Sequence, residues 1–464
     1  MTETAERSAG SWRALLSREH LGAIVVLAGG VVLYATNVYL TTSLLPSAIR
    51  EIGGERLYAW NTTVFLLASV VSAVLVGLLL ARLGGRGAYL LAIGLFVAGT
   101  VICAAAPAMP VLLLGRAVQG AGGGLLAGLS YALIRSTLPQ ALWARGSALV
   151  SAMWGVGTFV GPAVGGAFAQ FASWRTAFVA LAIGALLIAA LIPRVLPAGR
   201  SPGVERASFP LLSLVLLAAA TLSVSVASLF ATAAAGISGV AVGAVLIVVF
   251  LAYERKGGGI LPKATFSRQS RLPWIYGTIA VLAIGSTVET FVPLFGQRLA
   301  GLPPVVAGFL GAALAAGWTL GELPSASAVR PSAIRRIVIA GPLVLGAGLA
   351  MTALTQRSTS DGWMVALWAL TLVVAGSGIG MAWPHLATAA MASVENSHEG
   401  DKAAAAINTV QLVANAFGAA LTGVVVNLGE PDTQLSAQWL FGSFAVIAAI
   451  GVLTAYFSQR RQAS

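Results

Sequence analysis

The sequence predicts an all-α membrane protein of 14 transmembrane helices, built as two six-helix bundles plus an inserted helix pair. Three observations lead there. Of the 464 residues, 58% are hydrophobic and 9% are charged, whereas a soluble globular chain carries about 25% charge. Apolar runs of roughly 20 residues, the length that crosses a bilayer as a helix, recur from end to end. Motifs of the first half also return in the second half at a near-constant offset, as in a protein made of two parallel repeats.

In chain order, residues 1–20 carry Glu3, Glu6, Arg7, Arg13, Arg18 and Glu19, which is a charged tail and not the apolar core of a signal peptide. Six spans follow at about 21–49, 57–82, 87–107, 109–138, 143–171 and 174–193, making an N-terminal bundle over 21–193. A linker over 194–271 begins with charged residues and holds two further spans at about 209–232 and 235–253, both with almost no polar function and no recognisable motif. The C-terminal bundle over 272–457 has spans at about 272–298, 304–326, 334–356, 362–392, 403–428 and 436–457, and 458–464 is a second tail.

The formal net charge of +12 does not mark a nucleic-acid binder, because the basic residues lie between apolar spans and not on one face of a folded domain. They report orientation instead. With the N-terminus inside, the cytoplasmic segments hold 21 of the 27 Lys and Arg residues and the outer segments five, leaving Arg116 within a span. Both termini are therefore expected in the cytoplasm. The excess of Arg over Lys, with abundant Ala and Gly, points to a high-GC bacterium and hence to its cell (inner) membrane. The lone Cys103 lies in an apolar run and permits no intramolecular disulfide.

Span 5 contains Gly155-Val156-Gly157-Thr158-Phe159-Val160-Gly161-Pro162-Ala163-Val164-Gly165-Gly166. Such a sequence would break a helix in water, but in lipid glycine lets two helix backbones approach closely. It reads as a contact helix. The repeat shows in Arg86 to Gly99 against Arg335 to Gly348, in Gly120-x-Gly122-x-Gly124 against Gly376-x-Gly378-x-Gly380, and in Gly161 to Gly166 against Gly418 to Gly423. Spans 9 to 14 thus overlay spans 1 to 6, and spans 7 and 8 are an insertion.

Four motifs together resemble the exporters of the major facilitator superfamily, and most closely its fourteen-span drug:proton antiporters. The loop Gly77-Leu78-Leu79-Leu80-Ala81-Arg82-Leu83-Gly84-Gly85-Arg86 is similar to the superfamily's Gly-x-Leu-Ala-Asp-Arg-x-Gly-Arg-Lys. Arg116-Ala117-Val118-Gln119-Gly120-Ala121-Gly122 is similar to the exporters' Arg-x-x-Gln-Gly-x-Gly, Gly157-x-x-x-Gly161-Pro162-x-x-Gly165-Gly166 to their fifth-span motif, and Trp174-Arg175-Thr176-Ala177-Phe178 to the antiporters' Trp-Arg-x-x-Phe. The resemblance implies the superfamily fold, export of small molecules by alternating access, multidrug resistance among its consequences, and the proton gradient as energy source with no cofactor. It makes Gly77, Arg82, Gly84, Arg86, Gly157, Gly161, Pro162, Gly165 and Gly166 conformational motifs. Two departures stand out. Ala81 replaces the loop's Asp, and Asn37 occupies the first-span position where the antiporters carry an acid. An amide does not titrate near neutral pH, so a coupling proton would have to ride elsewhere.

Ionisable groups inside a bilayer are costly and face a cavity or a partner, which makes them functional candidates. Glu289 in span 9, Glu322 in span 10 and Arg116 in span 4 are these groups. Glu289 lies four residues before Pro293, on the span related by the repeat to the one that carries the antiporter acid. A carboxylate moved from water to a low-dielectric site holds its proton more tightly, which suits a proton carrier. The alternative is a carboxylate locked to a neighbouring hydroxyl or backbone group. By the resemblance Arg116 takes part in proton and substrate coupling, against a purely structural ion pair or carbonyl cap. Glu322 reads as a structural latch that partly compensates for Ala81.

Tyr34, Asn37 and Thr41 mark one face of span 1, and Asn408, Gln411 and Asn415 one face of span 13. These amides either line a substrate cavity or join helices. Gln119 belongs to the span 4 motif, and Trp154, Phe291, Trp318 and Trp383 either wall the same cavity or pack. His385 either titrates or packs. No phosphate loop, metal spacing or nucleophile with its base appears, so no enzyme, metal site or cofactor is expected. The expected partners are a small-molecule or lipid substrate and the bilayer, and the chain is expected to be a monomer. An uncoupled facilitator, favoured by Asn37, and a non-transporting sensor on the same fold are the competing readings.

Overall fold

The computed structural model describes residues 12–139, 142–196, 210–230, 232–257, 260–267, 269–328, 330–358, 361–393 and 397–459. Residues 1–11 and 460–464 of the tails and most of the 194–208 linker, with Arg200 and Arg206, fall outside these residues, as does the side chain of Asn408. The helices are α1 Arg18–Ile52, α2 Tyr58–Val74, α3 Val76–Ala104, α4 Met109–Ala132, α5 Trp143–Phe171, α6 Trp174–Val195, α7 Leu211–Ala227 and α8 Ala233–Arg255. They continue as α9 Leu272–Ser286, α10 Val292–Ala300, α11 Pro304–Ser325, α12 Pro331–Thr355, α13 Gly362–Ala392, α14 Ser397–Gly429 and α15 Thr433–Ser458. Among the described residues there is no strand, and 13 helical stretches, with α9 and α10 counted as one, are long and apolar enough to cross a membrane. The apolar α7, of 17 residues, is shorter and completes the expected set.

Helix boundaries differ from the expected spans where the backbone bends. The path of span 2 runs through α2 and on into the start of α3. The chain then turns at Gly84, whose φ of 69° and ψ of 175° interrupt α3; a residue with a Cβ adopts such a φ only under strain. On one side of the turn, Phe65, Ser69 and Val76 pack in rising order on Gly120, Gly124 and Gly128, so span 2 runs parallel to α4. On the other, Cys103, Gly99 and Phe96 meet Gly115, Gln119 and Gly122 in falling order, so span 3 runs antiparallel to it. The expected break between about 82 and 87 sits at this turn. Span 9 is interrupted as well: a 3₁₀ turn, Thr287–Thr290, separates α9 from α10.

The chain divides into two compact units. Unit 1 comprises Met1–Gly54 and Val64–Phe209, and unit 2 comprises Glu55–Thr63 and Pro210–Ser464. The inserted pair α7 and α8 therefore counts with unit 2, as does the beginning of span 2. Each unit repeats the packing of the other. Gly376 and Gly380 of α13 sit on the backbone of Leu314 and Trp318 in α11 as Gly120 and Gly124 sit on that of Phe65 and Ser69. Gly348 meets Ala375 as Gly99 meets Gln119, and Gly378 meets Leu345 as Gly122 meets Phe96. The displacement between equivalent residues stays the same within each helix pair. Glycine is required at these positions because the neighbouring main chain occupies the space a Cβ would take.

Span 5 is the contact helix expected from its glycines. A Cβ on Gly157 would lie 2.5 Å from that of Ala35, one on Gly161 2.9 Å from the nitrogen of Leu40, and one on Gly165 2.5 Å from the carbonyl oxygen of Leu40. Pro162 and Gly166 are buried beside them. Gly155 faces the other way, into open space.

Candidate functional site

In unit 1 the polar candidates gather behind this α1–α5 seam. Arg116, 1% exposed, donates from Nη1 to Gln119 Oε1 at 2.6 Å. Gln119 Nε2 donates to Thr100 Oγ1 at 2.8 Å, and Thr100 donates to the carbonyl of Phe96 at 2.6 Å. The guanidinium lies 4.1 Å above the centre of the Phe65 ring, a contact that stabilises a buried cation by about 2 kcal/mol. Phe65 also meets Tyr34 at 5.4 Å between ring centres, and Tyr34 meets Trp154 edge-on at 5.3 Å. Tyr34 is buried, while Trp154 is 39% exposed and forms the open end of this aromatic row.

Asn37 and Thr41 are both 0% exposed. Thr41 Oγ1 donates to the Asn37 carbonyl at 2.7 Å, and the Asn37 Nδ2 amide has no hydrogen-bond partner among the described residues. A buried amide hydrogen left without an acceptor costs about 1–3 kcal/mol.

Other motif residues anchor the ends of unit 1. Arg86 Nε donates to the Leu196 carbonyl at 2.9 Å and so caps the end of α6. At the start of α6, Trp174 Nε1 donates to Glu51 at 2.7 Å, while Arg175 pairs with the same carboxylate and donates to the Ala106 carbonyl at 2.9 Å. This Trp-Arg pair fastens the ends of α1 and α3 together. Arg82 is exposed, and nothing lies within 4 Å of the point where a Gly77 side chain would begin.

In unit 2, Glu289 sits on the 3₁₀ turn that interrupts span 9. A mid-span 3₁₀ turn is a recurring mark of a hinge. The residue is half-buried, and no hydrogen bond or ion pair reaches its carboxylate among the described residues. Among the described residues no hydroxyl or backbone group bonds to it. Two residues on, Phe291 is buried and stacks on Tyr58 at 4.5 Å between ring centres.

Trp318 and Trp383 meet at 4.9 Å, and Trp318 Nε1 donates to Glu322 at 3.1 Å along the same helix. His385 is paired with Ser325 at 3.0 Å. On α14, Gln411 and Asn415 are half-buried and make no hydrogen bond among the described residues, the Asn415 Oδ1 being buried as well. Among the described residues these amides do not join helices.

The structure thus brings Tyr34, Trp154, Arg116 and Gln119 into one cluster and Trp318, Trp383 and Glu322 into another. Arg116 and Glu289 belong to different units. Phe65 and Thr100, which hold Arg116 and Gln119 in place, carry no mark in the sequence beyond lying one helix away from a glycine stripe.

The described architecture of two repeated, all-helical units with unpaired polar groups inside their spans is that of a membrane transporter. A family model described as Major Facilitator Superfamily matches residues 27–419, and the chain belongs to that superfamily. It is similar to the probable multidrug-efflux transporter Rv1634 of Mycobacterium tuberculosis (strain ATCC 25618 / H37Rv), with 51% identity over 99% of this chain and 99% of that protein. Its fold is similar to the crystal structure of the nucleoside transporter NupG, with a TM-score of 0.66 and 12% identity over 94% of this chain and 99% of that one. It is also similar to the xylose transporter XylE from E. coli, with a TM-score of 0.59 and 16% identity over 93% of this chain and 97% of that one. The chain is a multi-pass membrane transporter of small-molecule substrates.

Proposed function

We propose that this transporter exports amphipathic small molecules or lipids by alternating access, in exchange for protons, from a bacterial inner membrane in which both its termini face the cytoplasm. The observation that carries the coupling is Glu289, an unpaired carboxylate on the interrupted turn of span 9. Such a group exchanges its proton with whichever side is open, and the hinge beneath it changes which side that is. Arg116, held rigidly on Gln119 and Phe65, supplies the fixed positive charge. The aromatic row from Phe65 to Trp154, with the free amide of Asn37, suits a ligand having an apolar body and a hydrogen-bond acceptor. Efflux is supported by the 51% identity to a protein named as a probable multidrug-efflux transporter, and the orientation by the excess of Lys and Arg in the loops assigned to the cytoplasm.

The test is transport in sealed vesicles, with and without an imposed pH gradient, across a panel of lipophilic drugs, lipids, siderophores and amino-acid derivatives. Gradient-driven accumulation of at least one class is the expected result. Equal movement with and without the gradient would instead support an uncoupled facilitator, with Asn37 as its explanation.

A further inference from the structure

The inserted pair has no assigned role, yet it carries specific polar contacts with other spans of unit 2. Helix α7 ends at Ala227, where the last carbonyls lack the amide partners of the helix interior, and the Ser228 hydroxyl already donates to the Ser225 carbonyl at 2.7 Å. Two side chains from other spans also dock on this end. Trp60, in the part of span 2 that belongs to unit 2, donates from Nε1 to the Ser225 carbonyl at 2.9 Å. Asn427 of α14, 5% exposed, donates from Nδ2 to the Ser228 carbonyl at 2.6 Å. Beneath these bonds Val224 packs with Ala420 and Val424, so α7 rests on α14 along an apolar strip.

The pair is also internally rigid. At its opposite end Glu254, 2% exposed, accepts from Ser213 Oγ at 2.5 Å and from the backbone nitrogens of Ile260 and Leu261 at 3.0 and 2.8 Å. Ser223 further joins α7 to the Gly239 carbonyl of α8 at 3.2 Å. Whatever holds the end of α7 is therefore held by the whole pair.

Trp60 does not dock alone. Glu55 pairs with Arg298 at 2.6 Å, Tyr58 stacks on Phe291, and Ala59 lies against Gly423. By sequence this segment belongs to the first repeat, and the later turns of the same span pack on α4 in unit 1. In an opening where residues 55–63 move with the rest of span 2, the Trp60 bond breaks, whereas the Asn427 bond joins α7 to α14 within unit 2 and persists.

We propose that the inserted pair is a brace for the outer gate: the carbonyl end of α7, anchored to α14 by Asn427, is the acceptor on which Trp60 docks when the outer face is closed. This rests on the alternating-access reading and orientation given above. The contribution of α7–α8 is thus to bias the resting conformation, and Trp60 and Asn427 are positioning residues that touch no substrate.

The test uses the full-length transporter in cells, with Cys103 replaced by Ala and a reporter cysteine introduced by Thr62→Cys. Thr62 is 8% exposed, its hydroxyl has no partner among the described residues, and it lies on the docking segment. The readout is the labelling rate with a membrane-impermeant maleimide added outside. Trp60→Phe keeps a ring and removes only the donor, and should speed labelling by about 5-fold, the loss of one net hydrogen bond. Asn427→Leu should speed it similarly by releasing the anchor. A Trp60→Phe rate equal to that of the parent, alongside a faster Trp60→Ala, would show that ring packing and not the α7 carbonyl holds the segment, and would overturn the brace. If Thr62→Cys reacts only in inverted vesicles, the orientation reading fails instead. The ratio of the Trp60→Phe rate to the parent rate, measured from that face, then decides the brace by the same criterion.

Discussion

Arg116 donates to Gln119 Oε1 over 2.6 Å, one turn further along the same helix. That bond fixes the amide: its oxygen faces the cation, and its nitrogen must point to Thr100, 2.8 Å away. Because Gln119 is 0% exposed, no water replaces either contact when the amide is lost. Gln119→Leu should therefore remove both bonds and destabilise the protein by about 1.5–3 kcal/mol, the range for hydrogen bonds to charged groups. A thermal unfolding series in detergent, read beside transport, checks this. An unchanged unfolding midpoint would mean that Arg116 does not depend on Gln119 for its place.

The α1–α5 seam yields a contrast within one motif. A side chain at Gly161 collides with the main chain of α1, while at Gly155 it meets nothing within 4 Å. Gly161→Leu should insert yet lose transport, since overpacking of this kind costs about 1–3 kcal/mol and pushes the two helices apart. Gly155→Leu should transport normally. Equal loss in both variants would indicate a general intolerance of span 5 to bulk, and equal activity would remove the close-packing argument.

Glycine stripes were legible in the sequence because close backbone approach leaves glycine as the only residue that fits, and the repeat exposed their counterparts. Glu289 was legible for a different reason: a charge stands out in an apolar run. Phe65, Thr100 and Trp60 were not, because an aromatic or a threonine is ordinary in a span, and its meaning lies in a partner on another helix. The 3₁₀ turn at Thr287–Thr290 was only hinted at by Pro293, which removes an amide hydrogen one turn later without saying how the carbonyls before it will be arranged. The acceptor role of α7 was hidden altogether, since backbone carbonyls leave no trace in side-chain identity.

Orientation can be checked without transport. Tags near Pro107, Ala233 and Pro431 should react from outside, and tags near Gly84, Gly203 and Gly258 only from inside, the last two lying outside the described residues. Gly203 and Gly258 flank the inserted pair, so they must share a side if α7 and α8 both cross. Opposite sides would leave α7, an apolar helix of 17 residues, as a segment that does not span.

Coupling rests on whether Glu289 must change its charge. Glu289→Gln keeps the size and the hydrogen-bonding capacity of the side chain but fixes it neutral, as if permanently protonated. If the proton is the driving ion, this variant should lose accumulation against a gradient while still exchanging substrate downhill, because binding and rocking do not need the charge to appear. Glu289→Asp retains a titrating group on a shorter arm and should keep part of the gradient dependence, which separates titration from mere side-chain shape. Arg116→Ala should flatten the dependence on pH by removing the fixed cation. Uphill export by Glu289→Gln with an unaltered response to the gradient would make Glu289 structural. With Asn37 unable to titrate in the position where related antiporters carry an acid, the proton would then have no carrier among these two positions, and the facilitator reading would stand in its place.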